Sequence, residues 1–241
     1  MGSVAQNVWR TLEMDLALGD AGLPHGDFGM VKVRLAERPL AASDAATDDP
    51  GLEETVWVER LSPCHGRVRN ATFHPVGVDF GSLVLFDGAP IGEQTVGERR
   101  VHVFPQLATL KEAGRGWDIF PFVGVQPERE LLSRLGFDLP GDAAIETHTE
   151  SLELLCAKCA DALAPQHEHG ASAATGLVEG KLCLDRRIEL GKSDRALAQL
   201  LASHAEAKIW SPALALALGD ERRAREETEA IARVRARKGA R

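Results

Sequence analysis

The chain predicts an α+β fold, with a small antiparallel β-barrel or sheet in its N-terminal part and helices in its C-terminal part. Three observations carry that expectation. Short runs of alternating apolar and polar residues, separated by turn signals, fill residues 30–125. After Pro127 the apolar spacing changes from two to three and four. Helix-capping residues then recur at Asp142, Ser193 and Ser211.

Taken in order, residues 4–18 carry apolar side chains at Val4, Val8, Leu12 and Leu16, the spacing of a helix that Gly19 would end. "MVKVRL" alternates, with Val31, Val33 and Leu35 on one face and Lys32 and Arg34 on the other, which predicts a half-buried strand. The segment 39–54 is acidic and rich in Pro, Gly, Ser and Asp, and reads as a loop. "TVWVERL" is a second strand, closed by the turn "SPCHG". "RVRNATFHPV" and "SLVLFDG" follow, then "RRVHVFPQL" and "WDIFPFVGV". In the strands, Trp57, Phe73, Phe80 and Phe86 are expected in the core.

Beyond Pro127, "ERELLSRLGF" predicts a short helix stopped by Gly136. Asp142 predicts the cap of a long helix to about Leu163, with Pro165 just past its end. "HEHGASAATGLVEG" reads as loop. Ser193 would cap the next helix. Ser211 followed by Pro212 would open a last helix running through "ARVRARK". The expected division is a β-rich domain with an N-terminal helix over residues 1–139 and a helical domain over 140–241.

Composition narrows the classes of function. The 241 residues are 44% hydrophobic and 27% charged, enough for a sizeable core. A formal net charge of −8 argues against a general nucleic-acid binder and suits a basic protein partner. The skew to 21 Arg over 7 Lys, with no Tyr, carries no functional meaning. No run of 18 apolar residues exists, so no membrane span is expected. The N-terminus lacks the charged and apolar regions of a signal peptide. The four cysteines, Cys64, Cys156, Cys159 and Cys183, are too few for a disulfide scaffold. A cytoplasmic protein with reduced thiols is expected.

The densest chemistry lies in "CAKCADALAPQHEH", where Cys156, Cys159, His167 and His169 fall within fourteen residues. These four are the candidate zinc ligands, with Cys183 a further one. Cysteines at i and i+3 share a helical face, and the histidines could fold back to complete four ligands. His148 is a poorer ligand, about 12 Å from Cys156 along a helix. The competing reading is burial. Ile145, Leu152, Leu155, Cys156, Cys159 and Leu163 make one apolar stripe, and His148 lies on it. On that reading the thiols are core groups and no cofactor is bound.

Other chemistries fit less well. A redox Cys-x-x-Cys sits at a helix N-terminus, and this one would lie well inside a helix. "HTE" at His148–Glu150 echoes a zinc deaminase, but it is too close to the cysteines and lies on the same expected helix. No hydrolase elbow, Walker loop or dinucleotide fingerprint appears. Asp79, Asp87, Glu93 and Glu98 read as solvated loop acids. Cys64 and His65 sit at an expected hairpin tip, open to reaction or metal, though a plain turn explains them. The terminal Arg233, Arg235, Arg237, Lys238 and Arg241 could touch phosphates, but also suit a helix C-terminus. Arg222, Arg223 and Arg225 against Glu226, Glu227 and Glu229 read as a solvated, salt-bridged face. No catalytic set emerges.

Residues 28–88 also resemble a family of small uncharacterised bacterial β-barrel domains associated with toxin–immunity loci. The resemblance rests on Trp57, Val58, Glu59, Gly66, Arg69, Asn70, Phe73, Gly81, Ser82 and Val84. Thr72-Phe73-His74-Pro75 departs from the family's Pro-Phe, and Ser82 stands where Asp is usual. The resemblance implies a binding module rather than an enzyme. The resulting expectation is a non-enzymatic immunity or antitoxin-type protein that binds a toxin. The alternative is a zinc-dependent enzyme or zinc-stabilised module built on Cys156, Cys159, His167 and His169.

Overall fold

The computed structural model describes residues 17–19, 22–35, 54–72, 77–96, 98–111, 116–126, 128, 130–148, 177–204 and 207–239. They form an α+β protein of mostly antiparallel sheets with a few helices, in two compact units, Met1–Gly116 and Trp117–Arg241.

The first unit opens with a short pair, β1 (Ala17–Leu18) and β2 (Pro24–His25). Ala17 and Leu18, expected to end a helix, instead pair with His25 and Pro24, and the rest of that expected helix lies outside the described residues. The main sheet is built from β3 (Met30–Arg34), β4 (Thr55–Arg60), β5 (His65–Val68), β6 (Leu83–Phe86), β7 (Gly92–Val96) and β8 (Arg99–Lys111). Its order is β3-β4-β5-β6-β8-β7, and Lys32–Arg34 of β3 also pair in parallel with Val103–Pro105 of β8.

The alternation expected from the sequence sets which side chains go inward. Val31 and Val33 of β3, Val56 and Val58 of β4, and Val68, Val84, Phe86 and Phe104 form one buried cluster. Phe86 and Phe104 pack with centroids 5.5 Å apart. Phe80 and Phe86 are buried as expected. Trp57 is not. It alternates out of phase with Val56 and Val58, so it stands half-buried beneath the Lys32 ammonium, 5.1 Å from the ring centroid. Phe73 lies outside the described residues.

Close backbone approach and side-chain-to-backbone hydrogen bonds hold this unit together. A Cβ at Gly66 would run into the Glu59 carbonyl, so only glycine lets β5 approach β4. Asn70 Oδ1 accepts from the Trp57 N–H at 2.6 Å. Gly81 has φ 82°, a conformation costly for other residues, and Ser82 Oγ accepts from the Asp79 N–H at 3.0 Å. Asp79 is no solvated acid: its Oδ1 accepts from Thr72 N at 3.0 Å and Phe80 N at 2.9 Å.

The second unit contains β9 (Trp117–Val125), α1 (Leu131–Gly136), β10 (Ala144–Thr147), β11 (Leu177–Asp185), α2 (Leu190–Ala202), β12 (Lys208–Trp210), α3 (Pro212–Ala217) and α4 (Glu221–Gly239). Its strands are antiparallel in the order β10-β11-β9-β12. The core joins Phe122, Leu132, Leu135, Ile145, Val178, Leu182, Leu184, Leu197 and Leu214.

This unit departs from the sequence expectation in several places, each for a nameable reason. It is not purely helical, and the boundary lies at Gly116/Trp117 rather than after residue 139, because β9 is a central strand paired with β11 over its full length. Ala144–Thr147 is a strand where the expected long helix would begin; helical conformation starts at His148, and the rest of that expected helix lies outside the described residues. Ile145 and Thr147 point inward, and the four residues pair with Gly180–Cys183. Leu177–Gly180, expected as loop, begins β11, where Val178, Gly180, Leu182 and Leu184 alternate into the core.

Helix α2 starts at Leu190, not after Ser193. A turn from Asp185 brings the chain to Glu189, and Ser193 falls on the inward face one turn before Leu197. Its hydroxyl has no hydrogen-bond partner there. The expected last helix is two, α3 and α4, split at Gly219 with φ 78°. Asp220 then receives the Arg223 N–H at 2.9 Å as a new cap. The Ser211-Pro212 start holds as expected, with Ser211 Oγ accepting from Leu214 N and donating to the Pro121 carbonyl at 2.8 Å.

The Arg/Glu face of α4 is only partly solvated. Glu227 is buried, accepts the Ser211 N–H at 2.7 Å and the Arg223 Nε–H at 2.7 Å, while Arg223 also reaches Asp194 at 2.8 Å. That network ties α2, α3 and α4 together with paired rather than isolated charge.

Candidate functional site

The four candidate zinc ligands, Cys156, Cys159, His167 and His169, lie outside the described residues. Cys183 is fully buried in β11, and His148 is the half-buried residue after β10, not part of a helical stripe with Ile145. Among the described residues, no three His, Cys, Asp or Glu side chains are grouped to hold a metal ion.

The expected hairpin tip at Cys64 and His65 does form, between β4 and β5. Ser62 organises it. Its Oγ accepts from the Cys64 N–H at 3.3 Å and the His65 N–H at 3.2 Å, and it hydrogen-bonds His65 Nδ1. Arg60 donates to the Ser62 and Pro63 carbonyls at 3.3 and 2.7 Å from across the turn. Cys64 is exposed with Sγ 3.9 Å from Ser62 Oγ, whereas His65 and Ser62 are buried.

A hydroxyl that already receives two backbone N–H groups directs its own proton to the imidazole, so His65 Nδ1 accepts. Ser62 is therefore a turn-closing residue, and its burial shields it from attack on a substrate. Beyond a three-residue spacing, nothing in the local run marks the Ser62–His65 bond.

His65 makes the turn sensitive to acid. Burial pushes its imidazole below the ordinary value of 6.5, and His25 nearby adds to the effect. Well above pH 6.5 the ring is neutral whether folded or unfolded, so the fold loses nothing there. As pH falls below 6.5, the unfolded chain takes up a proton that the folded ring resists, and stability drops. Unfolding curves at pH 7.5 and 5.5 should show a loss in the native chain that His65→Gln reduces. An equal loss in both would place the acid sensitivity elsewhere.

The most distinctive surface of the first unit is on β8. Val103 pairs with Gly92 of β7 on one side and Lys32 of β3 on the other. Strands β6 and β7 succeed each other along the first side, joined through Asp87 N to the Pro105 carbonyl and Ile91 N to the Val103 carbonyl. On the other side the β3 pairing ends at Pro105. Among the described residues, no strand lies along residues 107–110 there. Leu107, Ala108, Thr109 and Leu110 are all exposed, Leu107 by 58% and Leu110 by 41%. Leu107 and Leu110 are the two residues that β8 carries in excess where its register against β6 shifts, so bulges place both leucines on the surface at this end of the strand. The sequence pattern marks this strand only to Leu107, whereas it runs to Lys111.

No family model, curated protein or solved structure matches this chain.

Proposed function

We propose that the chain is a non-enzymatic binding module of immunity or antitoxin type, whose first unit is a small closed β-barrel that captures a protein partner. The return pairing of β3 with β8 supports the barrel, since it joins the first and last strands of the run β3-β4-β5-β6-β8. The observation that carries the function is the leucine-bearing end of β8 at residues 107–110, beside which no strand lies on the β3 side among the described residues. An extended partner segment adding to that edge would satisfy its backbone groups and cover Leu107 and Leu110. The net charge of −8 favours a basic partner, as a nucleic-acid-degrading toxin would be. The resemblance over residues 28–88 points the same way.

The test is affinity capture from the source cells with the native chain and a Leu107→Asp/Leu110→Asp double variant. Both side chains are exposed, so the variant should fold. The expected result is a basic protein retained by the native chain, lost with the double variant, and inhibited in its own activity when bound. Retention of the same protein by both forms would contradict the assignment of the edge. Stoichiometric zinc in the purified chain, lost in Cys159→Ser, would instead favour the zinc-module reading.

A further inference from the structure

The second unit contains a cleft that neither the partner reading nor the turn chemistry uses. It opens between β12 and α4, holds about 330 Å³, and is lined by Lys208, Trp210, Ala230, Arg233 and Val234. That volume lies at the lower end of small-molecule sites. Its composition follows from two periodicities. Lys208 and Trp210 are two apart on a strand and share a face. Ala230, Arg233 and Val234 are spaced three and four on a helix and share another. Ala230 and Val234 are small, which leaves room over the half-buried Trp210.

The charge of this cleft is inverted relative to the chain. Two cations flank it in a protein of net charge −8. Lys208 is exposed and makes no ion pair among the described residues. Among the described residues Arg233 reaches only Glu229, at 3.7 Å, with both side chains largely exposed. Such a pair is weak and exchangeable. Arg235 differs: it is held by Glu179 at 2.6 Å and is already spoken for. An aromatic surface beside a guanidinium and an ammonium matches a ligand with a flat ring and a phosphate or carboxylate. The ring stacks on the indole, while the Arg fork and the Lys ammonium take the anion.

We propose that the β12–α4 cleft binds a small aromatic anion of about the size of a nucleoside monophosphate. This site stands independently of the protein-partner reading. The test is titration of the full chain with adenosine 5′-monophosphate, phenyl phosphate, inorganic phosphate and adenosine, by calorimetry and tryptophan fluorescence. The expected result is one site for an aromatic phosphate, with inorganic phosphate and adenosine each weaker by about tenfold or more. Lys208→Ala and Arg233→Ala should each weaken binding by about fivefold or more, and Glu229→Gln should tighten it by freeing Arg233. Trp210→Phe should remove the fluorescence change.

Lys208 and Arg233 are exposed, so loss of binding in these variants would not report unfolding, and circular dichroism checks this. No binding of either aromatic phosphate at about 10 mM would overturn the proposal. So would affinity unchanged by the Lys208 and Arg233 substitutions, or inorganic phosphate binding as tightly as the aromatic probes.

Discussion

Replacing Asp185 with alanine should cost about 3 kcal/mol of stability, the largest loss expected from a single polar side chain here. Asp185 is buried at the end of β11 and collects four donors. Its Oδ2 accepts from Asp142 N at 2.9 Å, its Oδ1 from Arg187 N at 2.9 Å, and the Arg187 guanidinium spans both oxygens through Nε and Nη2, the latter at 2.6 Å. The Arg187 hydrogen bond is the main cause that holds the Asp185 carboxyl far below the ordinary carboxylate range, against the opposing effect of burial. The two backbone donors add to it. Gly141, with φ 78°, lets the opposing chain approach: a Cβ there would sit 2.7 Å from Asp185 Oδ2.

Alanine leaves the Asp142 and Arg187 N–H groups without their acceptor, whereas Asp185→Asn keeps part of the set and should lose less. Denaturant unfolding at pH 7 measures both. The pH dependence has a definite sign. The folded value lies below the unfolded value near 3.8, so this stabilisation is complete above that pH and disappears as pH falls below it. Asp185→Ala should therefore be less acid-sensitive than the native chain between about pH 4 and 2. A neutral effect at pH 7 would show that the turn does not depend on the carboxylate.

Gly180→Ala should be of similar size, about 3 kcal/mol, although it adds one methyl group. Gly180 faces Phe122 across β9 and Thr147 across β10. A Cβ there would overlap the Glu146 carbonyl oxygen and meet the Phe122 ring at 2.7–2.8 Å. Relief requires moving β10 or the buried Phe122, and both belong to the core of the second unit. Gly191→Ala is the matched control. It lies in the first turn of α2, where the nearest atom to a new Cβ is a flexible Glu189 oxygen at 3.4 Å. That substitution should be neutral or stabilising by up to about 1 kcal/mol. Equal effects at the two glycines would contradict the packing account.

Both residues show where sequence reading runs out. Local patterns were legible. The alternation in "MVKVR" and "TVWVER" placed Val31, Val33, Val56 and Val58 inside, and Ser211-Pro212 marked a true helix start. Patterns that depend on a distant partner were not. Gly180 reads as a loop residue until Phe122 is seen lying opposite it. "AIET" is compatible with a helix, and its pairing with β11 decides otherwise. Ser193 followed by Asp has the look of a cap, but the Asp185 turn starts the helix earlier.

Function divides in the same way. Cys64 and His65 were placed at a turn by their neighbours, while the bond that buries His65 against Ser62 needed three dimensions. Lys208, Trp210 and Arg233 gather from a strand and a helix with separate periodicities, so neither segment alone suggests a cleft. The exposed end of β8 depends on where β3 stops, which no local run encodes.

The central claim is that residues 107–110 form the partner-binding edge, and amide hydrogen exchange on the captured complex tests it most directly. The account predicts fast exchange on the open side of this stretch in the free chain and marked protection when the partner is bound. Full-strength binding with no new protection in residues 107–110 would contradict it.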